Sequence, residues 1–260
     1  MRLKNKFMLL ALSSFFVAAC AAEPAAKEET LMVSAASSLS GAMDELASGF
    51  EQDNPGIAIV TNLGSSSKLR SQIENGAPAD VFLSASAEDV ELLVEDGLAD
   101  VKSVSPFAGN QLVLASSSEI GEAPDVKSML ASFDGTFAIA EPASVPLGGY
   151  TKKALEAIGM WQPLEGQLIY AKDARQVVTY LESGNANAGV IYASDAALSE
   201  TVKDMDKMPL ESVKINYPAA LLSNSEQPDH AGKFLAYLLS EEGQAIIEEY
   251  GFLTAERLQP

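Results

Sequence analysis

Three serines in a row, Ser65-Ser66-Ser67, stand before Lys68 in the stretch GSSSKL, and a second pair, Ser37-Ser38, stands in SAASSLSG. Side chains of this type can cap a helix, serve as a nucleophile beside a base, or donate hydrogen bonds to an anion. Two further junctions are made of turn-forming or small residues, Pro146-Leu147-Gly148-Gly149 and Lys172-Asp173-Ala174. Each of the four follows a short extended segment and opens a segment of helical periodicity. A helix start leaves backbone N–H groups without intrahelical partners, and the helix dipole adds partial positive charge there. One such serine reads as an ordinary cap; four junctions of this kind in one acidic chain point to an anion receptor. Neutral donors hold an oxyanion without burying a countercharge, which would cost several kcal/mol. Each charge-assisted bond contributes about 1.5–3 kcal/mol.

The elements that must position these groups alternate along the chain. Apolar runs at 31–36, 57–60, 80–85, 111–116, 136–140, 167–171 and 188–194 read as strands. Between them Leu39, Ala42, Met43, Leu46 and Phe50 recur at helical spacing, Leu69 and Ile73 mark a second helix ended by Asn75-Gly76, and further helices are expected at 87–96, 147–158 and 173–182. An extended segment at 213–223 is interrupted by Pro218, and 229–249 carries two amphipathic helical segments. Strands alternating with helices imply right-handed βαβ units on mostly parallel sheets, an α/β fold. In such sheets ligands gather at the carboxyl ends of strands. All four junctions lie at such ends.

The first twenty residues are a targeting segment: a basic head (Arg2, Lys4, Lys6), an apolar run from Phe7 to Ala19, then Val17-Ala18-Ala19-Cys20. The run is short for a bilayer span. Residues 21–30, AAEPAAKEET, read as a flexible tether, so the folded part is expected from Leu31. Cys20 is the sole cysteine of the 260-residue chain, which excludes an internal disulfide. The formal net charge is -19, and removal of the three basic leader residues takes it to -22. Nucleic acid is excluded as a partner on that ground. The overall field also repels small anions, so any bound anion has to be held by local bonds.

Other chemistries are poorly supplied. Ser65 to Lys68 matches S-x-x-K, and Ser194-Asp195-Ala196 half matches S-D-N, but K-T-G is absent. Lys68 reads as a solvated helix residue. The single histidine, His230, opens a C-terminal helix and has no G-x-S-x-G serine to serve. One histidine and no free cysteine leave a cation centre without ligands. No catalytic residue and no cofactor is expected.

The stretches SAASSLSGAMDELASGFEQDNPGI, SSSKLRSQIENGAPADVFLSAS, EPASVPLGGYTKKALEAIGMW and DARQVVTYLESGNANAGVIYASDA, in that order, resemble the molybdate-binding proteins of ABC transporters across nearly the whole mature chain. The resemblance implies the type II periplasmic-binding-protein fold, two α/β lobes joined by two crossing strands with the ligand cleft between them. It places the crossings near 108–111 and 216–219, with Asn110 and Pro218 as hinge neighbours. Residues 31–109 and 218–260 would form the first lobe and 110–217 the second. The implied donors are the hydroxyls of Ser38 and Ser66, the backbone N–H groups of Leu147 and Ala174, and the phenol of Tyr192. Leu147 and Ala174 replace the alanine and valine usual in that family, so the Leu147 side chain must point away from the cleft. The resemblance further implies a monomeric receptor that captures molybdate or tungstate and delivers it to a membrane permease with a cytoplasmic ATPase. The segment ending in Cys20 resembles a bacterial lipobox, which implies an exported protein anchored to a membrane by lipid on Cys20. The same architecture serves sulfate, phosphate, ferric iron and organic solutes. An organic acid would call for an arginine in the cleft, and Arg70 and Arg175 are the candidates.

Overall fold

The computed structural model describes residues 29–117, 124–208 and 215–258. Cys20, the leader before it and tether residues 21–28 lie outside the described residues. The chain first runs through β1 (Glu29–Ala36), α1 (Ser40–Asp53), β2 (Ile57–Gly64), α2 (Ser66–Glu74), β3 (Val81–Leu83), α3 (Ala87–Glu95) and β4 (Ser105–Asn110). It then builds β5 (Leu112–Ser116), α4 (Val126–Ala131), β6 (Phe137–Ala140), α5 (Pro146–Ala157), α6 (Trp161–Leu164), β7 (Leu168–Ala171), α7 (Ala174–Glu182), β8 (Ala188–Tyr192), α8 (Ala193–Leu198) and β9 (Lys203–Lys207). It ends with β10 (Ile215–Leu221), α9 (Pro228–Leu238), α10 (Glu241–Glu249) and β11 (Leu253–Thr254).

Two sheets result. One has the order β11-β4-β10-β3-β1-β2, the other β7-β6-β8-β5-β9. A single residue, Gln111, separates β4 of the first sheet from β5 of the second, and the chain is back in the first sheet from Ile215. The expectation of mostly parallel sheets needs correction. β2, β1 and β3 pair in parallel, as do β7, β6 and β8, but β10, β4, β11, β5 and β9 all join by antiparallel pairing. The cause is topological: a chain that crosses to a second sheet and returns needs strands running both ways, and β4 and β10 are those strands. Pro218 sits within β10, where the register against β4 shifts between Tyr217 and Pro218. A residue without N–H cannot continue a ladder, and an irregularity accommodates it.

Glu29 and Thr30 also need reassignment from tether to fold. They open β1, with Glu29 N–H donating to Gly56 O at 2.8 Å and Glu29 in register with Ile57. A polar strand end held by its backbone ladder leaves no mark in composition.

β5, β6 and β8 are buried along their whole length, which is why they are near-continuous apolar runs. The large core runs through both halves. A smaller cluster around Leu69, Phe82, Leu93 and Leu222 packs α2 and α3 against β3 and β10. Gly148 lets the start of α5 close on the end of β6. A Cβ there would stand 2.3 Å from Ala140 O.

Asp195, in the first turn of α8, is fully buried, and its Oδ2 has no hydrogen-bond partner among the described residues. Burial pushes its carboxyl from 3.8 up to about 7; Arg175 acts in the opposite sense and Glu182 adds to the rise. The folded state therefore holds this proton more tightly than the unfolded chain. The stability it gives is complete below the unfolded value and is lost as pH rises through about 7. Asp195→Asn removes that dependence. Urea unfolding should show the variant gaining on the wild type by up to about 1.4 kcal/mol per pH unit between pH 5 and 7. A difference that does not change with pH would contradict this account of Asp195.

Candidate functional site

The junctions singled out by sequence converge on one small cavity between the two sheets. It is lined by Ala36, Ser37, Ser38, Gly64, Ser65, Ser66, Ala85, Val145, Pro146, Leu147, Ala174 and Tyr192, and its volume is only about 10 Å³, far below the roughly 300–1,000 Å³ of drug-sized sites. Ser38, Ser66, Leu147, Ala174 and Tyr192 are all brought to its wall. None of the lining residues carries a carboxylate, ammonium, guanidinium or imidazole.

Ser38 lies in the short 3-10 turn Ser37–Leu39 between β1 and α1 and is buried. Its Oγ is 2.9 Å from the hydroxyl of Tyr217 on β10. Ser66 is the first residue of α2, and its Oγ accepts the Ala85 N–H at 2.9 Å. With that lone pair engaged, the Ser66 proton is available to the cavity. Neither Ser65 nor its neighbours act as caps: α1 and α2 have no side-chain cap bond. Ordinary caps are present where the chain needs them, with Ser86 accepting from Asp89 N–H, Asp173 from Gln176 N–H and Ser240 from Gly243 N–H. The hydroxyls at the cavity are thus of a different kind from the caps of the same protein.

Leu147 and Ala174 contribute backbone. Pro146 is the first residue of α5 and has no N–H of its own, which leaves Leu147 N–H as a first-turn donor. The Leu147 side chain is fully buried in the hydrophobic core, so the larger residue takes its volume from the core. Ala174 opens α7 immediately after its cap Asp173. Tyr192 ends β8, is 1% exposed, and its hydroxyl has no hydrogen-bond partner among the described residues. A buried hydroxyl left unpaired is costly, and a ligand oxygen would satisfy it. Burial, foremost, pushes the Tyr192 phenol well above its ordinary range, so it stays a donor.

Two bonds tie the halves together at the rim. Ser65 Oγ donates to Ser144 O at 3.1 Å, and the Tyr150 hydroxyl donates to Ala85 O at 3.3 Å. Arg70 is turned away, bonded to Asp89 at 2.9 Å and to Glu74, and it opens onto a separate groove of about 420 Å³. Arg175 is half exposed and 4.0 Å from Glu182. Neither guanidinium lines the cavity. Lys68 is exposed, and the Ser65 hydroxyl is committed to Ser144, so no Ser–Lys pair is assembled. His230 lies beside Glu29 at 3.2 Å, at the start of β1. Among the described residues no group of three or more His, Cys, Asp or Glu could hold a metal ion.

Two residues behind the cavity escaped the sequence reading as parts of the site. Tyr217 packs edge-on against Tyr192, with centroids 5.9 Å apart and planes at 69°, and Asn110 reaches both Ser194 Oγ and the Tyr217 hydroxyl. Asn110 and Pro218 stood out only as hinge neighbours. The tyrosine beside that proline was the available signal.

The model of the bacterial extracellular solute-binding proteins matches residues 31–253. A Bacillus subtilis protein provisionally named ABC transporter substrate-binding lipoprotein YvgL is 35% identical, over 97% of this chain and 99% of its own. The molybdate-binding protein ModA of Escherichia coli is 33% identical, over 90% of this chain and 93% of its own. Among solved structures, the periplasmic molybdate-binding protein of Azotobacter vinelandii superposes with a TM-score of 0.77 at 26% identity, covering 86% of this chain and 98% of its own. Extending over most of the described fold and both walls of the cavity, these matches establish that the chain belongs to the bacterial extracellular solute-binding protein family.

Proposed function

We propose that this chain is the extracytoplasmic receptor of an ABC transporter for molybdate, with tungstate as its near-twin in size and charge. The observation that carries the reading is the cavity wall: donors and no charged side chain, supplied from both halves of the molecule. A tetrahedral dianion offers four oxygens that only accept. Ser38, Ser66 and Tyr192 offer hydroxyl protons, and Leu147 and Ala174 offer amide protons at helix starts. Hydrogenphosphate carries a P–OH that would face a donor with no acceptor to meet it, so a donor-only wall rejects it. Sulfate has the right charge and is smaller, so it leaves its donors stretched.

The contacts Ser65 to Ser144 and Tyr150 to Ala85 fit a closed receptor, with the crossing strands β4 and β10 as its hinge. The closed form, as a monomer, is what a permease with its ATPase would recognise. The protein performs no chemistry on its cargo. Lipid on Cys20 would hold it at the membrane it serves.

Calorimetric titration of the full-length protein should give heat with molybdate and tungstate and none with sulfate or phosphate. An equal response to sulfate would move the protein to a sulfate receptor. Ser66→Ala should weaken molybdate binding by about tenfold or more while the thermal melt stays near that of the wild type; unchanged affinity would remove Ser66 from the site. Cys20→Ser should shift the expressed protein from the membrane fraction to the soluble fraction, and retention in the membrane would exclude lipid on Cys20 as the anchor.

A further inference from the structure

Tyr217 and Asn110 sit on β10 and β4, the strands that carry the chain between the sheets, and neither lines the cavity. The 2.9 Å separation between the Tyr217 hydroxyl and Ser38 Oγ does not by itself say which oxygen gives its proton. Asn110 decides. Its Oδ1 accepts the Gln111 N–H at 2.9 Å and lies 3.4 Å from the Ser194 N–H. The NH2 side of the amide therefore faces Ser194 Oγ at 2.8 Å and the Tyr217 hydroxyl at 3.4 Å. An amide NH2 only donates, so the Tyr217 oxygen accepts from Asn110 and its proton goes to Ser38. Were Ser38 the donor instead, the Tyr217 proton would have only the neighbouring Tyr192 hydroxyl to turn to, which makes no well-formed hydrogen bond in this structure, and that arrangement is costly. Burial, foremost, pushes the Tyr217 phenol far above its ordinary range, while its bonds to Ser38 and Asn110 act the other way; the proton stays in place at any physiological pH.

We propose that Asn110 and Tyr217 are positioning residues that engage one lone pair of Ser38 Oγ from behind, so that the Ser38 proton is turned toward the anion and the capacity of Ser38 to accept from a protonated one is reduced. The order of donation is Asn110 to Tyr217, Tyr217 to Ser38, and Ser38 to the ligand. Ser66 is oriented in the same way by the Ala85 N–H. The difference is that the Ser38 relay begins at the crossing strands and also binds Ser194 of the five-stranded half. The inference rests on the oxyanion-receptor reading of the cavity.

The test is molybdate titration of full-length wild type, Ser38→Ala, Tyr217→Phe and the double variant at pH 7.5, with thermal melts alongside. Tyr217→Phe should weaken binding about tenfold in the Ser38 background. In the Ser38→Ala background it should change affinity by no more than about twofold, because no hydroxyl is left to orient. The ratio of molybdate to hydrogenphosphate affinity should also fall in Tyr217→Phe, since Ser38 regains a lone pair that a P–OH can meet. Asn110→Ala, which leaves the Tyr217 ring in place, should weaken binding in the same direction and serves as the test if Tyr217→Phe melts early. Equal losses in both Ser38 backgrounds would make Tyr217 a packing residue and overturn the relay, as would an unchanged affinity in folded Tyr217→Phe. If the wild type takes sulfate in place of molybdate, the receptor reading is corrected and the relay is scored on sulfate with the same four proteins. A wild type that takes none of the four oxyanions overturns both.

Discussion

A hydroxyl has one proton, and in a donor-only site that proton has to point at the ligand. The free rotation of a serine side chain works against this, because the same oxygen can accept as easily as it gives. The direction is settled when the lone pairs are engaged from the protein side. Ser66 Oγ is met by the Ala85 N–H and Ser38 Oγ by the Tyr217 hydroxyl. Leu147 and Ala174 need no such device, since a peptide N–H has no acceptor function and the helix fixes its direction. The cavity is therefore a set of donors whose orientation is biased at folding, the condition under which an anion could be held without a countercharge.

The fold serves that requirement through its strand ends. β1, β2, β6 and β7 stop where a turn or helix begins, and the first turns of α2, α5 and α7 close on a common space. Close approach matters as much as direction. Gly148 is the residue that lets the start of α5 press on Ala140, at a separation no side chain would tolerate. The antiparallel strands β4 and β10 have a separate task. They carry the chain between the sheets and deliver Asn110 and Tyr217 to the back of the cavity. Hinge and ligand wall thus share a hydrogen-bond network, so the disposition of the halves and the orientation of Ser38 are coupled.

Much of this was legible in sequence, because strand-to-helix junctions write themselves in composition. Ser38, Ser66, Leu147, Ala174 and Tyr192 stand at such junctions, and their convergence follows from the α/β alternation together with a resemblance spread over most of the chain. Two kinds of feature were not legible. One is pairing direction: β4, with Pro106 and Gly109, and β9, with its alternating charges in KDMDK, have no apolar run to mark them, and antiparallel partners chosen by topology leave no periodicity. The other is what a side chain touches. Tyr217 looked like any aromatic before a proline, and only the 2.9 Å contact across 179 residues gives it a role. Ser65 shows the converse. By residue type it is interchangeable with Ser66, and only the family resemblance singled out Ser66; in the structure the Ser65 hydroxyl is committed to Ser144 O.

The charge of the protein completes the physical picture. A chain of formal net charge -19 attracts cations at its surface and repels anions, and salt limits that field to about 8 Å under physiological conditions. Selection of an anion therefore cannot begin at a distance. It has to be made inside the cavity, where water is excluded and each oriented donor is worth more than in solvent. Asp195, in the first turn of α8, is a buried carboxyl whose pKa is pushed up to about 7 by burial, so below that pH it adds little negative charge to the five-stranded half. With surface attraction absent and no charged side chain lining the cavity, the oxyanion-receptor reading leaves the number and direction of the donors to decide which ion would be held. On that reading a smaller dianion would lose contacts and a protonated one would meet a donor head-on, a discrimination by geometry that a guanidinium, attracting anions by charge, would not supply.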